Sequence, residues 1–159
     1  MIKPVYYADT SVVGGVFDRE FHEITRVFWR QAKEQRFGVL ISALVGRELV
    51  NAPERVRRFY EQDVKQSART MDISEEMLDL AKAYVDSGAV SVGYQDDAIH
   101  VAAATISRVW AVVSWNFKHL VNIRRENIFN SVNVLHGYPS IRIISPLEVI
   151  EDETADSMD

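Results

Sequence analysis

Short apolar runs alternate along the chain with longer segments whose apolar residues recur at helical spacing. The runs 5–8, 39–41, 109–114 and 141–144 are rich in β-branched or aromatic residues, which is typical of strands buried on both faces. Helices are predicted for the intervening segments, at 20–36, 43–49, 53–67, 75–87, 95–107 and 118–135. Because strands and helices alternate, the pattern predicts an α/β fold with a central, mostly parallel sheet of four to five short strands flanked by helices.

Small polar residues follow the first two predicted strands. Thr10 or Ser11 is expected to cap a short helix, which Gly14 and Gly15 interrupt, and Ser42 is expected to cap the helix after the second strand. In open parallel sheets, ligands bind beyond the carboxyl ends of the strands. Functional residues are therefore expected in these turns.

The composition suits one domain with an ordinary core. The chain has 159 residues, of which 47% are hydrophobic, and it contains no cysteine. The missing cysteine excludes a disulfide framework, a thiolate zinc site and a cysteine nucleophile. No apolar run approaches the roughly 18 residues of a membrane span, and the first residues do not resemble a signal peptide. We therefore expect a cytoplasmic protein with no membrane contact.

The net charge of −5 conceals alternating basic and acidic blocks. Residues 21–70 hold ten bases and six acids, residues 71–106 one base and seven acids, and residues 107–145 five bases and one acid. Residues 151–159 carry five acids and no base, and are predicted to form a disordered tail after a domain of residues 1–150. Locally basic surface is thus compatible with an anionic partner.

Three acids and one amide are expected to meet at one edge of the sheet. Asp9 and Asn116 follow predicted strands, Glu48 lies two turns into the helix after the second strand, and Asp97 lies in the first turn of a helix. Oxygen ligands of this kind suit a hard divalent cation, so the pattern indicates a site for Mg²⁺ or Mn²⁺. Such an ion is free to coordinate phosphate and to activate water.

Each of these residues also has an alternative interpretation. Asp9 is consistent with a helix cap, Glu48 with a solvated surface charge and Asn116 with a turn. Asp96 and Asp97 are consistent with acids placed at the positive end of a helix. His100 follows Asp97 by about one helical turn, and we expect it to support the site or to pack in the core rather than to bind metal. It is the joint placement of these residues that favours a site.

Four short motifs occur in order along the chain, and a fifth follows them near the end of the predicted domain. They are Tyr7-Ala8-Asp9-Thr10-Ser11, the segment from Ser42 to Glu48-Leu49, the D-A-x-H-x-A-x-A run at 97–104, the segment 114–122, and Gly137-Tyr138 with Ser145-Pro146-Leu147-Glu148. Together they resemble the PIN-domain family, which includes the VapC-type toxins of prokaryotic type II toxin–antitoxin pairs. The resemblance covers about residues 4–150.

The resemblance implies a PIN-like three-layer fold and a metal-dependent ribonuclease. Asp9, Glu48, Asp97 and Asn116 are then the catalytic and metal-binding residues, and the metal is Mg²⁺ or Mn²⁺. Residues that support them would be Ser11, Ser114, Asp96 and His100. The resemblance also implies an RNA substrate, an antitoxin partner and a homodimer.

Asn116 departs from the family pattern, in which many members have Asp. A neutral amide is expected to hold metal less tightly, so the alternative is a catalytically weak or inactive PIN-fold module that binds RNA or protein. The basic residues nearest the predicted site, Lys118 and Arg124, are expected to contact RNA. Trp115 and Tyr138 are candidates either for stacking on a base or for packing in the core.

Overall fold

The computed structural model describes residues 2–152 and contains a five-stranded sheet in which every neighbouring pair of strands is parallel. The strands follow the order β3-β2-β1-β4-β5 across the sheet. They are β1 (Val5–Ala8), β2 (Gly38–Ser42), β3 (Arg69–Met71), β4 (Ala111–Val113) and β5 (Arg142–Ile144). The predicted α/β fold and sheet are confirmed, although β3 was not predicted.

Helical segments connect the strands. The α-helices are α1 (Ser11–Gly14), α2 (His22–Lys33), α3 (Ala43–Glu48), α4 (Glu54–Phe59), α5 (Lys65–Ser67), α6 (Glu75–Asp86), α7 (Gln95–Ile106) and α8 (Ile123–Leu135). Short 3₁₀ turns occupy Gly15–Phe17, Val92–Tyr94 and Pro146–Glu148, and the π-helical turn Tyr60–Val64 joins α4 to α5.

The central strands are covered on both faces, which explains why their sequences are almost continuously apolar. On one face, Tyr7 and Val112 pack in a buried cluster with residues of α6, α7 and α8, among them Leu80 and Phe129. The neighbouring residues of the same strands point to the opposite face. There Ala8 and Val113 belong to a second cluster with residues of α1, α2 and α4, among them Val12, Phe28 and Val56.

The first residue of the predicted tail is attached to the domain. The Glu151 N–H donates to the Gln31 side-chain oxygen at 2.8 Å, and the Gln31 amide donates to the Glu151 carbonyl at 3.0 Å. The Glu151 carboxylate also pairs with Arg36 at 2.9 Å. The rest of the predicted tail, from residue 153 onward, lies outside the described residues.

Two predicted helix caps were wrong. Thr10 and Ser42 precede α1 and α3, but neither side chain accepts a hydrogen bond from the helix that follows. The Thr10 hydroxyl donates to Glu48 at 2.8 Å, and the Ser42 hydroxyl lies 2.8 Å from the Tyr7 hydroxyl. Ser11, the other candidate cap for α1, is the first residue of that helix, and its hydroxyl donates to Asp9. These hydroxyl groups serve long-range contacts or a neighbouring carboxylate instead of the helix ends.

None of the helices described between residues 2 and 152 combines the length and the hydrophobicity that crossing a bilayer requires.

Gly15→Ala is expected to destabilise the protein. An added Cβ would lie 2.8 Å from the Thr25 hydroxyl oxygen and 3.0 Å from the Trp115 ring, so the packed side chains must shift. Overpacking of this kind costs about 1–3 kcal/mol of unfolding free energy, measurable by chemical denaturation.

Gly14→Ala is the matched control. Gly14 has helical backbone angles, and its Cβ would meet nothing within 4 Å. This substitution is expected to stabilise the protein by about 0.4–1 kcal/mol, because it restricts the unfolded chain. A Gly15→Ala variant as stable as Gly14→Ala would contradict the packing described here.

Candidate active site

The candidate site lies at the carboxyl edge of the sheet. Asp9 directly follows β1, and Ser114 and Asn116 follow the adjacent strand β4. Glu48 is the last residue of α3, and Asp97 lies in the first turn of α7. The sheet order brings the first and fourth strands together, so residues about a hundred positions apart share this edge.

Asp9 is buried and held by two serine hydroxyls. Its Oδ1 accepts from the Ser11 hydroxyl at 2.5 Å and from the Ser11 N–H at 3.1 Å, and its Oδ2 accepts from the Ser114 hydroxyl at 2.6 Å. Burial raises the pKa of Asp9, and the charge of His100 together with the two serine hydrogen bonds opposes that increase.

His100 connects the carboxylates to the core. The buried ring contacts Glu48 through Nε2 at 2.5 Å and the Tyr7 hydroxyl through Nδ1 at 2.7 Å. Burial alone would lower the pKa of His100, but the Glu48 hydrogen bond and the charges of Asp9, Glu48 and Asp97 raise it above its ordinary value. When the imidazole is protonated, both of its N–H groups can donate, one to Glu48 and one to Tyr7.

The contact between Glu48 and His100 lowers the pKa of Glu48, whereas it raises the pKa of His100. Burial acts to raise its pKa, but the hydrogen bond and charge of His100, with the Thr10 hydroxyl, hold that pKa below its ordinary value. Only one carboxylate oxygen, Oε1, makes these contacts. The other oxygen of Glu48 accepts no hydrogen bond from residues 2–152.

Asp97 accepts the fewest hydrogen bonds of the three acids from the described residues. Burial, followed by the charge of Asp9 and more weakly that of Glu48, raises the pKa of Asp97 to about 6, although His100 opposes the shift. Its one hydrogen-bond donor among the described residues is the Asn116 amide nitrogen, at a long 3.4 Å. Asp96 is exposed, and its charge contributes to the raised pKa of Asp97.

Asn116 presents its nitrogen, not its oxygen, to Asp97. The side-chain oxygen accepts the His119 N–H at 3.0 Å, and the backbone carbonyl accepts from Leu120 and Val121 at 3.0 and 2.9 Å. The residue therefore forms the turn after β4 and orients Asp97. Its predicted role as a metal ligand requires a different side-chain orientation.

The donor atoms of the cluster are of the type that a divalent cation prefers. The acids Asp9 and Glu48 both act to raise the pKa of Asp97, which is the repulsion that a bound cation would relieve. All acidic donors are hard oxygen atoms, the type that Mg²⁺ and Mn²⁺ prefer. Within residues 2–152, however, no three His, Asp or Glu side chains are gathered closely enough to hold a metal ion. Glu48 is turned toward His100, so binding requires this carboxylate to reorient.

The structure places the remaining predicted residues at differing distances from the cluster. Lys118 follows Asn116 by two residues and is exposed; its carbonyl accepts the Asn122 amide at 3.3 Å, but its ammonium group makes no hydrogen bond or ion pair within residues 2–152. Arg124 is exposed in the first turn of α8. Thr10 and Tyr7, which contact Glu48 and His100, were not predicted as site residues. The Asp-Thr-Ser motif contains Thr10, but its local sequence favoured a cap.

The two aromatic candidates for base stacking both make contacts within the protein. Trp115 is only 7% exposed and stacks on Phe21, with ring centroids 4.1 Å apart. The Tyr138 hydroxyl donates to Glu76, on the side of the domain formed by α6. Of the interpretations left open from the sequence, packing is confirmed for Trp115.

The fold resembles solved toxin structures. VapBC2 from Rickettsia felis, bound to a DNA fragment from its promoter, has a TM-score of 0.59 and 12% identity, covering 89% of this chain and 98% of that chain. A toxin–antitoxin complex from Klebsiella pneumoniae has a TM-score of 0.56 and 15% identity, covering 76% and 93%. Mycobacterium tuberculosis VapC20, a sarcin-ricin loop cleaving toxin, has a TM-score of 0.56 and 13% identity, covering 86% and 98%.

These likenesses span nearly the whole described domain. The chain therefore has the PIN fold of the VapC-type toxins, as the sequence motifs predicted. No model of a protein family matches the sequence, and no curated protein matches it.

Asp97→Asn is expected to stabilise the metal-free protein above pH 6. The folded-state pKa of about 6 exceeds the ordinary 3.8, so the folded protein binds this proton more tightly than the unfolded chain. The resulting stability is complete below pH 4 and is lost as the pH rises through 6. After a discount for solvent screening, the variant should gain about 1 kcal/mol, or about 2–4 °C in Tm, at pH 7.5 in EDTA.

The measurement is a series of thermal melts from pH 4 to 8, with Asp96→Asn as the matched control on the same helical turn. Because Asp96 is exposed, the control should change stability less. An Asp97→Asn variant less stable than the parent across this range would contradict the charge balance described here.

Proposed function

We propose that this protein is a metal-dependent endoribonuclease and the toxin of a type II toxin–antitoxin pair. The observation that carries the proposal is the convergence of Asp9, Glu48 and Asp97 at the carboxyl edge of a PIN-fold sheet, where the charges of Asp9 and Glu48 raise the pKa of Asp97. VapC20, which shares the fold, is described as cleaving the sarcin-ricin loop, and this supports RNA as the substrate class. The proposed homodimer rests on the motif resemblance alone.

Asp9, Glu48 and Asp97 would hold the ion, and the rest of the site would hold these three acids in place. Ser11 and Ser114 fix Asp9, while His100 and Thr10 control which way Glu48 faces. Asn116 orients Asp97 through its amide nitrogen. A bound Mg²⁺ or Mn²⁺ lowers the pKa of a coordinated water and stabilises the charge that develops on the phosphate.

The basic side chains near the site complement a polyanion. Lys118 lies just beyond Asn116 and makes no ion pair within residues 2–152, so its ammonium group is free for a phosphate. Arg124 adds a second exposed charge at the start of α8. Arg125 is less suited, because its guanidinium donates to the Ala89 carbonyl at 2.8 Å.

An antitoxin partner is part of the same proposal. A toxin–antitoxin complex from Klebsiella pneumoniae and the VapBC2 structure from Rickettsia felis share the fold. They support a protein partner that binds this chain and restrains its activity.

A second candidate function is a binding module without catalytic activity. Asn116 in place of an acid favours it, as does the attachment of Glu48 to His100. In such a module the Glu48 carboxylate would stay bonded to His100, and RNA or protein would bind without hydrolysis.

Mn²⁺ is expected to raise the Tm of the protein. The ion would relieve the repulsion among the three carboxylates, and at ten times its Kd it would stabilise the folded state by about 1.4 kcal/mol, or about 3–6 °C. Calorimetry in EDTA and in millimolar MnCl₂ or MgCl₂ measures this. The shift should be smaller in Asp97→Asn and full in Asp79→Asn, whose carboxylate is exposed on α6. The absence of any shift would count against the metal site.

Cleavage of RNA tests the function itself. The wild-type chain should cut total RNA in Mg²⁺ or Mn²⁺ and not in EDTA, whereas Asp97→Asn should lose about 100-fold or more of that activity. Asp79→Asn should retain it. Equal activity in the wild type and in Asp97→Asn would refute the catalytic role, and RNA binding without cleavage by the wild type would support the binding module instead.

A further inference from the structure

Three aromatic rings form a layered surface beside the carboxylates, and we call them the aromatic shelf: Phe21, Trp115 and Phe117. The first two stack almost in parallel, with centroids 4.1 Å apart and an interplanar angle of 12°. The Phe117 ring lies 6.1 Å from each of them. The Trp115 indole N–H donates to the Thr25 hydroxyl at 2.9 Å, so the orientation of the Trp115 ring is fixed.

Phe117 is the exposed ring of the shelf. Its exposed fraction is 46%, compared with 7% for Trp115. Its backbone is nevertheless held on both sides, because its N–H donates to the Trp115 carbonyl at 3.0 Å and its carbonyl accepts the Asn122 amide at 2.8 Å. A large apolar ring is therefore presented to solvent from a fixed backbone, which reduces the entropy lost on binding a ligand.

The shelf is bonded directly to the carboxylate cluster. The Trp115 N–H donates to the Ser11 hydroxyl at 2.9 Å, and the same hydroxyl donates to Asp9 at 2.5 Å. Phe117 follows Asn116, whose amide contacts Asp97. Lys118 comes next, and its exposed ammonium group has no hydrogen-bond or ion-pair partner in the described part of the chain. A partly exposed aromatic ring and an exposed ammonium group thus occur on consecutive residues at the edge of the acidic site.

An aromatic face combined with a basic side chain is how proteins bind unpaired nucleotides, since the base stacks and the phosphate is neutralised. We propose that Phe117 stacks on an unpaired base of an RNA strand next to the phosphodiester held at the carboxylates, with Lys118 on a neighbouring phosphate. This inference rests on the proposed ribonuclease function. It assigns the site a preference for single-stranded or looped RNA.

The consequence for recognition follows from the chemistry of stacking. Every base has a π-face, so Phe117 selects for an unpaired nucleotide without selecting strongly among the four bases. Base pairing would bury that face within the helix. Duplex RNA should therefore compete poorly with a strand of the same sequence.

Binding is measured in the Asp97→Asn background, so that the RNA stays intact. The probe is a set of single-stranded oligoribonucleotides, each with 2-aminopurine at a different position, because stacking quenches the fluorescence of this base. One position should be quenched by the parent, and Phe117→Ala should abolish that quenching and raise Kd about 5- to 150-fold, as expected for the loss of one stacked base. Phe117→Trp should restore both, whereas Phe117→Leu, which keeps apolar bulk without a π-face, should not.

Trp110→Ala is the matched control. Trp110 is 58% exposed but precedes β4, at the opposite edge of the sheet from the carboxylates. Its removal should leave Kd and quenching unchanged. A second control replaces the quenched base by an abasic nucleotide, which should weaken binding by the parent to the level of Phe117→Ala and should weaken that variant no further.

The outcomes separate the stacking proposal from the function on which it rests. Unchanged RNA binding by Phe117→Ala, or an equal loss in Trp110→Ala, would overturn the stacking role. The stacking role of Phe117 would also be overturned if Phe117→Ala weakened the binding of a protein partner and left RNA binding intact. If the wild type binds RNA through Phe117 but does not cut it in Mg²⁺ or Mn²⁺, the ribonuclease proposal fails and the stacking role stands.

Discussion

Burial of the Asp9 carboxyl group is the constraint on which the candidate site depends. A carboxylate at the end of a central strand loses its water and must be compensated by hydrogen bonds and by positive charge. Ser11 and Ser114 supply the hydrogen bonds, one from the next turn of chain and one from the adjacent strand. The charge of His100 lowers the pKa of Asp9, and Glu48 in turn raises the pKa of His100. The orientation of Glu48 is thus a consequence of how Asp9 is stabilised, which ties the two acids together although no contact joins them.

Much of this arrangement was predictable because the carboxyl ends of parallel strands meet at one edge. That rule placed Asp9 and Asn116 together, and helical spacing placed His100 near Asp97. The pairing of Glu48 with His100, across 52 positions, has no local signature. The local sequence instead favoured helix caps at Thr10 and Ser42. These predictions were wrong because Glu48 and Tyr7, which are distant in the sequence, bind the same hydroxyl groups. Strand β3 was missed because its three residues, Arg69–Met71, lie at the sheet edge and are mostly exposed, so they carry no apolar pattern.

The two candidate functions differ in which partner the Glu48 carboxylate binds, His100 or a divalent cation. Metal binding requires the cation to attract this carboxylate more strongly than His100 does. The ion has the larger charge, and it would interact with all three acids, whereas His100 forms a hydrogen bond with Glu48 alone among them. His100 also keeps a second partner in Tyr7, so its ring stays anchored when Glu48 moves. In the proposed metal-bound state, Glu48 would therefore reorient while the contact between His100 and Tyr7 is retained.

The position of β1 between β2 and β4 has a further consequence, for the order of folding. Tyr7 pairs with Val112, and Asp9 bonds to Ser114 across 105 positions. Such contacts form only after a long loop has closed. During synthesis, β1 can pair early only with β2, and it must wait for β4, which emerges from the ribosome much later. A nascent chain therefore lacks the contacts of Ser114 with Asp9 and of Asn116 with Asp97 until its translation has passed Asn116.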